Sequence, residues 1–89
     1  MTDRILMMKQ RLAVLDPVRL KIVDESHKHA GHAGARTGGG HFLLQIISTE
    51  FEGKNKMNRH RMIYSALAEM MERDIHALTI DAKTPGEIE

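Results

Sequence analysis

Apolar side chains recur near the start of the chain every three or four residues, which is the spacing of one face of an α-helix. Thr2 or Asp3 can serve as the N-cap of this helix, and Pro17 disfavours the helical conformation at Asp16. The pattern therefore predicts a first helix over residues 2–15. Its apolar face consists of Ile5, Met8, Leu12 and Leu15.

Two further segments alternate between apolar and polar residues, which is the spacing of a β-strand. The first strand is predicted at residues 18–25 and the second at residues 42–49. The second strand also carries apolar groups on its other face, at Leu43 and Ile47. Apolar residues on both faces favour a central strand, or a sheet surface that a partner covers.

The second half of the chain changes once more from helix to strand. After a turn at residues 51–54, Asn58 is the predicted N-cap of a helix that runs to about Arg73 and has one apolar side. A third strand is predicted at residues 75–82, and a short C-terminal tail follows at residues 84–89. One face of this strand holds His76, Leu78, Ile80 and Ala82.

The resulting order is α-β-β-α-β within a single domain of residues 1–89, because 89 residues leave room for one domain only. The first two strands can form an antiparallel hairpin. The second helix is long enough to cross over, right-handed, to a parallel third strand. We therefore expect an α+β fold in which two helices cover one face of a three-stranded mixed sheet.

The predicted hairpin contains a long segment, residues 27–41, that holds five of the seven glycines and four of the six histidines. A connection of this length in so small a domain is typical of a flexible loop or a functional one. Imidazole is a good metal ligand, but the spacing lacks the thiolates and carboxylates of a standard zinc site, so simple solvation is an open alternative. The four are His27, His29, His32 and His41.

Charge and cysteine content exclude several classes of protein. Thirteen Lys and Arg against twelve Asp and Glu give a formal charge of +1, so nucleic-acid binding requires a local patch. The absence of Cys excludes thiol chemistry by this chain alone. No apolar run approaches the ~20 residues of a membrane span, and no signal peptide is visible, so we expect a cytoplasmic protein. No nucleophile lies beside a base, so we expect no enzyme activity.

A local basic cluster does occur around the predicted start of the second helix. Backbone amides at a helix N-terminus, together with several cations, favour an anion such as a DNA phosphate, a glutathione carboxylate or an acidic partner surface. Alternatively, one arginine pairs with Glu50 or Glu52 and the other cations are solvated. The cluster consists of Lys54, Lys56, Arg59, His60 and Arg61.

Several segments together resemble the BolA family, and the resemblance covers nearly the whole chain. The most specific part is the combination of Arg59-His60-Arg61 with the later His76-Ala77-Leu78. The resemblance implies an αββαβ fold like that of class II KH domains, although the Gly-x-x-Gly clamp that KH domains use for RNA is absent. The matching segments are Asp24-Glu25-Ser26, Gly40-His41-Phe42, Phe51-Glu52-Gly53-Lys54, residues 58–64, Ile75-His76-Ala77-Leu78 and Thr84-Pro85.

The resemblance implies two activities. One is a non-enzymatic pairing with a monothiol glutaredoxin, in which the two proteins and glutathione hold or hand over a [2Fe-2S] cluster. Because the chain has no Cys, its implied ligands are His76 and a loop histidine, His29, with His32 as the alternative. The other activity is DNA binding and transcriptional control of stress response and cell morphology through the basic cluster. By itself the chain is expected to hold no cluster and to be a monomer or weak homodimer.

Overall fold

The computed structural model of the chain describes residues 3–26 and 40–88. Within these residues, three short 3-10 turns lie at Ala13–Leu15, Thr49–Phe51 and Pro85–Glu87. The predicted order of helices and strands is confirmed, except that the second helix is divided in two. In chain order, the elements are α1 (Arg4–Leu12), β1 (Arg19–Asp24), β2 (Gly40–Ile47), α2 (Lys56–Leu67), α3 (Met70–Arg73) and β3 (Ile75–Lys83).

The three strands form one mixed sheet in the order β1-β2-β3. β1 pairs with β2 in the antiparallel sense and β2 pairs with β3 in the parallel sense. This confirms both the predicted hairpin and the central position of β2. The strand begins at Gly40, two residues earlier than predicted, because the Gly40 amide donates a hydrogen bond to the Asp74 carbonyl over 2.9 Å. The last two residues of the predicted loop, residues 27–41, therefore belong to the sheet.

The helical segment after the sheet differs from its prediction at its start and in its middle. Its N-cap is Asn55, whose side chain accepts a 2.8 Å hydrogen bond from the Asn58 amide, so the cap lies three residues before the predicted cap at Asn58. The helix is interrupted at Ala68, which has a φ of 53°. Leu67 and Met70 are both fully buried on either side of this break. The interruption thus keeps apolar residues of α2 and of α3 in the core.

The core lies between the helices and one face of the sheet, as the apolar pattern predicts. Ser48 is buried among these apolar residues, and its hydroxyl donates to the Leu15 carbonyl while it accepts from the Glu50 amide. This hydroxyl satisfies a backbone carbonyl of the 3-10 turn that follows α1, close to the end of β2. The main apolar contributors are Met8, Leu12, Ile22, Phe42, Leu44, Ile46, Phe51, Ile63, Leu67, Met70 and Ile75.

Candidate functional sites at the two ends of the third strand

The parallel pairing of β2 and β3 brings their first residues side by side. Gly40 pairs with Ile75, but His41 pairs with Ala77, so one extra residue of β3 is accommodated at this point. The resulting bulge changes which way β3 side chains face. Ile75 is buried and His76 is exposed, whereas Leu78 further along the strand is half-buried. The prediction that His76 shares the buried face of Leu78, Ile80 and Ala82 is therefore wrong, because the bulge shifts the alternation.

The bulge places the rings of His41 and His76 next to each other. Their ring centroids are 5.2 Å apart and the ring planes are inclined by 46°. His41 is held by its backbone, which donates to the Ser26 hydroxyl over 3.0 Å and accepts from the Glu25 amide over 2.7 Å. His41 is one of the four histidines of the predicted loop, but it is not among the cluster ligands that the family resemblance implies. Its position beside His76 follows from the parallel register of β2 and β3, which brings His41 to the start of β3.

Gly40 makes this close arrangement possible. A Cβ atom at this position would lie 2.5 Å from one ring carbon of Phe42 and 3.1 Å from the Ser26 hydroxyl oxygen. Only a residue without a side chain lets the backbone pass between the Phe42 ring and the end of β1. The two histidines are thus positioned by a glycine at the first residue of β2.

The predicted loop ligands lie outside the described residues. His27, His29 and His32 all fall in residues 27–39, so their role as ligands stays a prediction. The described residues on either side of that segment, Ser26 and Gly40, lie at the same end of the sheet as the start of β3. Over residues 3–26 and 40–88, no group of three or more histidines and carboxylates is placed to hold a metal ion.

At the other end of β3, Arg59 is bound by groups of this chain. Its Nε donates to the Lys54 carbonyl over 2.9 Å, and its Nη1 donates to the Ala82 carbonyl over 3.1 Å. It also forms a two-pronged ion pair with Glu87, with N–O distances of 2.7 and 3.2 Å. Only 13% of its side chain is exposed. The carboxylate that pairs with Arg59 is therefore Glu87, and not Glu50 or Glu52 as the alternative interpretation expected. The predicted role of Arg59 in binding an anion from outside the chain stays a prediction.

The Glu87 carboxylate is held from two sides. Its Oε1 atom accepts a 2.7 Å hydrogen bond from the backbone amide of Thr84, in addition to the contact with Arg59. The Arg59 hydrogen bond, followed by the Thr84 amide, lowers the pKa of Glu87 from its usual 4.5 to about 2. The C-terminal 3-10 turn is in this way fastened to the start of α2. Glu87 was not a candidate residue in the sequence analysis.

The other members of the basic cluster surround this ion pair. Lys54, Lys56 and Arg61 are exposed, and the ring of His60 lies edge-on to Tyr64 with centroids 6.4 Å apart. A cleft of about 500 Å³ lies between the start of α2 and the end of β3. Arg61 is not among its lining residues, so the cluster predicted as one site faces more than one direction. The cationic lining residues are Lys54, Lys56, Arg59 and Lys83, with His60 beside them.

The chain is a small α+β domain with a candidate site at each end of β3, and its family follows from comparison with known proteins. The family model described as BolA-like protein matches residues 12–87. The chain therefore belongs to the BolA family. In the part of the chain that the structure describes, no helix is long and apolar enough to cross a bilayer.

Three relatives illustrate the range of proteins that contain this domain. SufE-like protein 1, chloroplastic/mitochondrial, of Arabidopsis thaliana is 47% identical over 79 residues, which cover 83% of this chain and 21% of that protein. Protein BOLA1, chloroplastic, of the same plant is 49% identical over 76 residues, covering 82% and 48%. The DNA-binding transcriptional regulator BolA of Escherichia coli is 43% identical over 77 residues, covering 86% and 70%. The chain thus spans about a fifth and about half of the two plant proteins.

Solved structures agree with the fold. The BolA domain of SufE1 from Arabidopsis thaliana matches with a TM-score of 0.85 at 42% identity, and the match covers 99% of both chains. BolA1 from the same plant matches with a TM-score of 0.84 at 41% identity, over 100% of this chain and 99% of that one. The predicted α+β class and the family resemblance are both confirmed.

Proposed function

We propose that this chain is a non-enzymatic adaptor of the cytoplasm that pairs with a monothiol glutaredoxin and binds or hands over a [2Fe-2S] cluster. The observation that carries the proposal is the exposed imidazole of His76, which lies against the ring of His41 at the start of β3. The histidine-rich segment of residues 27–39 joins the sheet at this same end.

The chemistry of these side chains fits a cluster that two proteins share. Imidazole nitrogen is a suitable iron ligand, and replacing thiolate by imidazole raises the potential of a [2Fe-2S] centre. The described residues of this chain supply too few donors to enclose a metal by themselves. In this proposal the partner completes the ligand set, with one Cys from the glutaredoxin and one thiolate from glutathione.

Each residue of this end has a separate role in the proposal. His76 is the ligand that a partner can approach directly, because it is exposed. His29 is the second ligand, with His32 as the alternative, since Ser26 and Gly40, the described residues on either side of their segment, lie at the same end of the sheet as His76. Gly40 allows the strands to meet there without a clash. The residues of this chain would bind and orient the cluster, and the cluster would supply the redox chemistry.

Reconstitution of the mixed complex tests this proposal. The chain and a monothiol glutaredoxin are mixed without oxygen with iron, sulfide and glutathione, and visible absorption and circular dichroism are recorded. We expect spectra that neither protein gives alone, and His76→Ala should change them most, followed by His29→Ala. His60→Ala is the matched control, because His60 lies on α2 near the opposite end of β3.

Three results would bear on the proposal in different ways. If His29→Ala leaves the spectra unchanged and His32→Ala alters them, the second ligand is His32 and the mechanism is retained. Unchanged spectra in all three variants would remove the histidine-ligand mechanism. A cluster or zinc ion bound tightly by the isolated chain would contradict the shared ligand set.

We propose DNA binding as the second candidate function, because the Escherichia coli relative is named a DNA-binding transcriptional regulator. Lys54, Lys56 and Arg61 are exposed and can contact phosphates, while His60 is partly exposed. Arg59 contributes little here because its donors are engaged.

The salt dependence of duplex binding separates the two functions. Phosphate contacts release counterions, so the affinity should fall steeply with salt, and each lost contact reduces the slope by about one. Lys54→Gln, Lys56→Gln and Arg61→Gln should each reduce this slope, while Lys21→Gln, at an exposed position of β1, is the control. Binding that is independent of salt, or that Lys21→Gln changes equally, would contradict this function.

A further inference from the structure

The cleft at the start of α2 already contains a carboxylate, that of Glu87. Its two oxygens face the guanidinium of Arg59, and the backbone amide of Thr84 donates to one of them. A planar fork of guanidinium donors with a backbone N–H beside it matches the geometry of a carboxylate. The receiving groups are therefore arranged for this one class of anion.

The receptor and its occupant differ in how firmly the protein holds them. The Arg59 side chain is only 13% exposed, and two backbone carbonyls and the Phe51 ring, 6.0 Å from its guanidinium carbon, fix its position. The Glu87 side chain is 46% exposed and belongs to the three-residue turn Pro85–Glu87, all of which is exposed. Glu87 can thus leave while the groups that receive it stay in place.

The cleft retains an excess of positive charge even with Glu87 inside. Lys54, Lys56, Arg59 and Lys83 line it against the carboxylates of Asp81 and Glu87. Lys83 approaches Asp81 at 4.0 Å, which leaves Lys54 and Lys56 exposed at the rim. An acidic segment that arrives from outside meets favourable charge before it reaches Arg59.

We propose that this cleft is a carboxylate-binding site that Glu87 occupies from within, and that an acidic side chain of a protein partner binds by displacing Glu87. Displacement releases the turn at Pro85–Glu87 from α2. The site lies at the opposite end of β3 from the histidines and needs neither a cluster nor a glutaredoxin. Its success or failure is therefore independent of the proposed adaptor function.

Nuclear magnetic resonance of the isolated chain tests the site directly. The probe is glutamate blocked as the N-acetyl amide, which carries a single carboxylate on the side chain that it must replace. The reporters are the Nε–H of Arg59 and the backbone N–H of Thr84, since both contact the site. We expect both signals to shift in the wild type, and Glu87→Gln to bind the probe up to about fivefold more tightly.

Two controls keep the test decisive. Glu72→Gln removes one exposed carboxylate from α3 and should leave the affinity unchanged. Glu87→Asp keeps the charge but shortens the side chain, so it should also bind the probe more tightly and serves if Glu87→Gln is poorly folded. Equal affinities of the wild type and both Glu87 variants would overturn the proposal. Inorganic phosphate that binds as tightly as the probe would overturn the assignment to carboxylates.

Discussion

The two ends of β3 carry the two candidate sites, and they hold their polar side chains in opposite ways. His76 and Ala82 are six residues apart on this strand, a separation of about 20 Å. At the first end, an exposed imidazole is supported by a neighbouring ring. At the second, a guanidinium is almost enclosed, and backbone carbonyls and a carboxylate of the same chain bind it.

The difference separates side chains that stabilise the fold from side chains available to a partner. A buried cation needs its donors satisfied within the protein, because an unpaired buried charge is costly. The donors of Arg59 are satisfied within the protein, so its main contribution is to the stability of the fold. His76 is solvated and has no such requirement, so it can exchange water for a metal or a partner. Residue type alone does not distinguish these two situations.

The largest expected effect on stability is that of Arg59→Ala, which removes the guanidinium and its contacts at the end of β3. The substitution leaves the Ala82 and Lys54 carbonyls without this donor, and we expect unfolding free energy to fall by about 2 to 3 kcal/mol. Urea denaturation with the matched control Arg61→Ala measures it, since Arg61 is exposed and should change stability by less than about 0.5 kcal/mol. Equal losses in both variants would remove the distinction between the two arginines.

The second effect concerns the histidine end, where the backbone rather than a side chain is tightly placed. Gly40→Ala puts a methyl group 2.5 Å from a carbon of the buried Phe42 ring. Crowding of this kind should cost about 2 kcal/mol. Gly86→Ala is the control, because nothing lies within 4 Å of a Cβ there. If thermal melts show Gly40→Ala to be as stable as Gly86→Ala, the strand ends are not closely packed.

The fold was largely predictable because the signals that determine it are local. Apolar spacing identifies each helix and strand, and Asp3 was among the expected caps, as its hydrogen bond from the Leu6 amide bears out. The errors in the helix bounds arise where the local sequence fits more than one structure or carries no signal of a break. Asn55 and Asn58 are both good N-cap residues, and the sequence pattern does not distinguish which of them accepts the capping hydrogen bond. The helix break at Ala68 has no Gly or Pro to indicate it.

The sites were less predictable because their contacts are distant along the chain. Arg59 and Glu87 are 28 residues apart, so nearby Glu50 and Glu52 were the expected partners. His41 and His76 meet only through the parallel register and its bulge. His76 itself was identified from the family resemblance, whereas its exposure follows from the bulge. Local periodicity contains no information about either of these two contacts or about the exposure of His76.

A smaller effect should appear as pH dependence at the carboxylates that pair with arginines. The Arg59 and Arg11 hydrogen bonds lower the pKa values of Glu87 and Glu69 to about 2. A carboxyl whose pKa is lower in the folded state stabilises that state above its unfolded pKa, near 4.5. This contribution is lost as the pH falls from there to about 2. Melting temperatures should therefore fall less steeply over this range in Glu87→Gln and Glu69→Gln than in the wild type.

The Glu72→Gln variant controls for loss of one surface carboxylate in that experiment. Both ion pairs include exposed carboxylates, so the effect of each is modest and should weaken further in high salt. A wild-type curve parallel to those of both variants would mean that these pairs contribute nothing to stability. Arg59 would then stabilise the fold only through its hydrogen bonds to the backbone carbonyls.

The smallest expected effect on stability is that of His76→Ala, which tests the exposed end. The imidazole is solvated and contacts the ring of His41, so its removal should change the unfolding free energy by less than about 0.5 kcal/mol. The same variant should alter the spectra of the reconstituted complex most. A urea titration beside the spectra therefore separates loss of function from loss of fold. A loss as large as that of Arg59→Ala would make His76 a structural residue, and the contrast between the two ends of β3 would be lost.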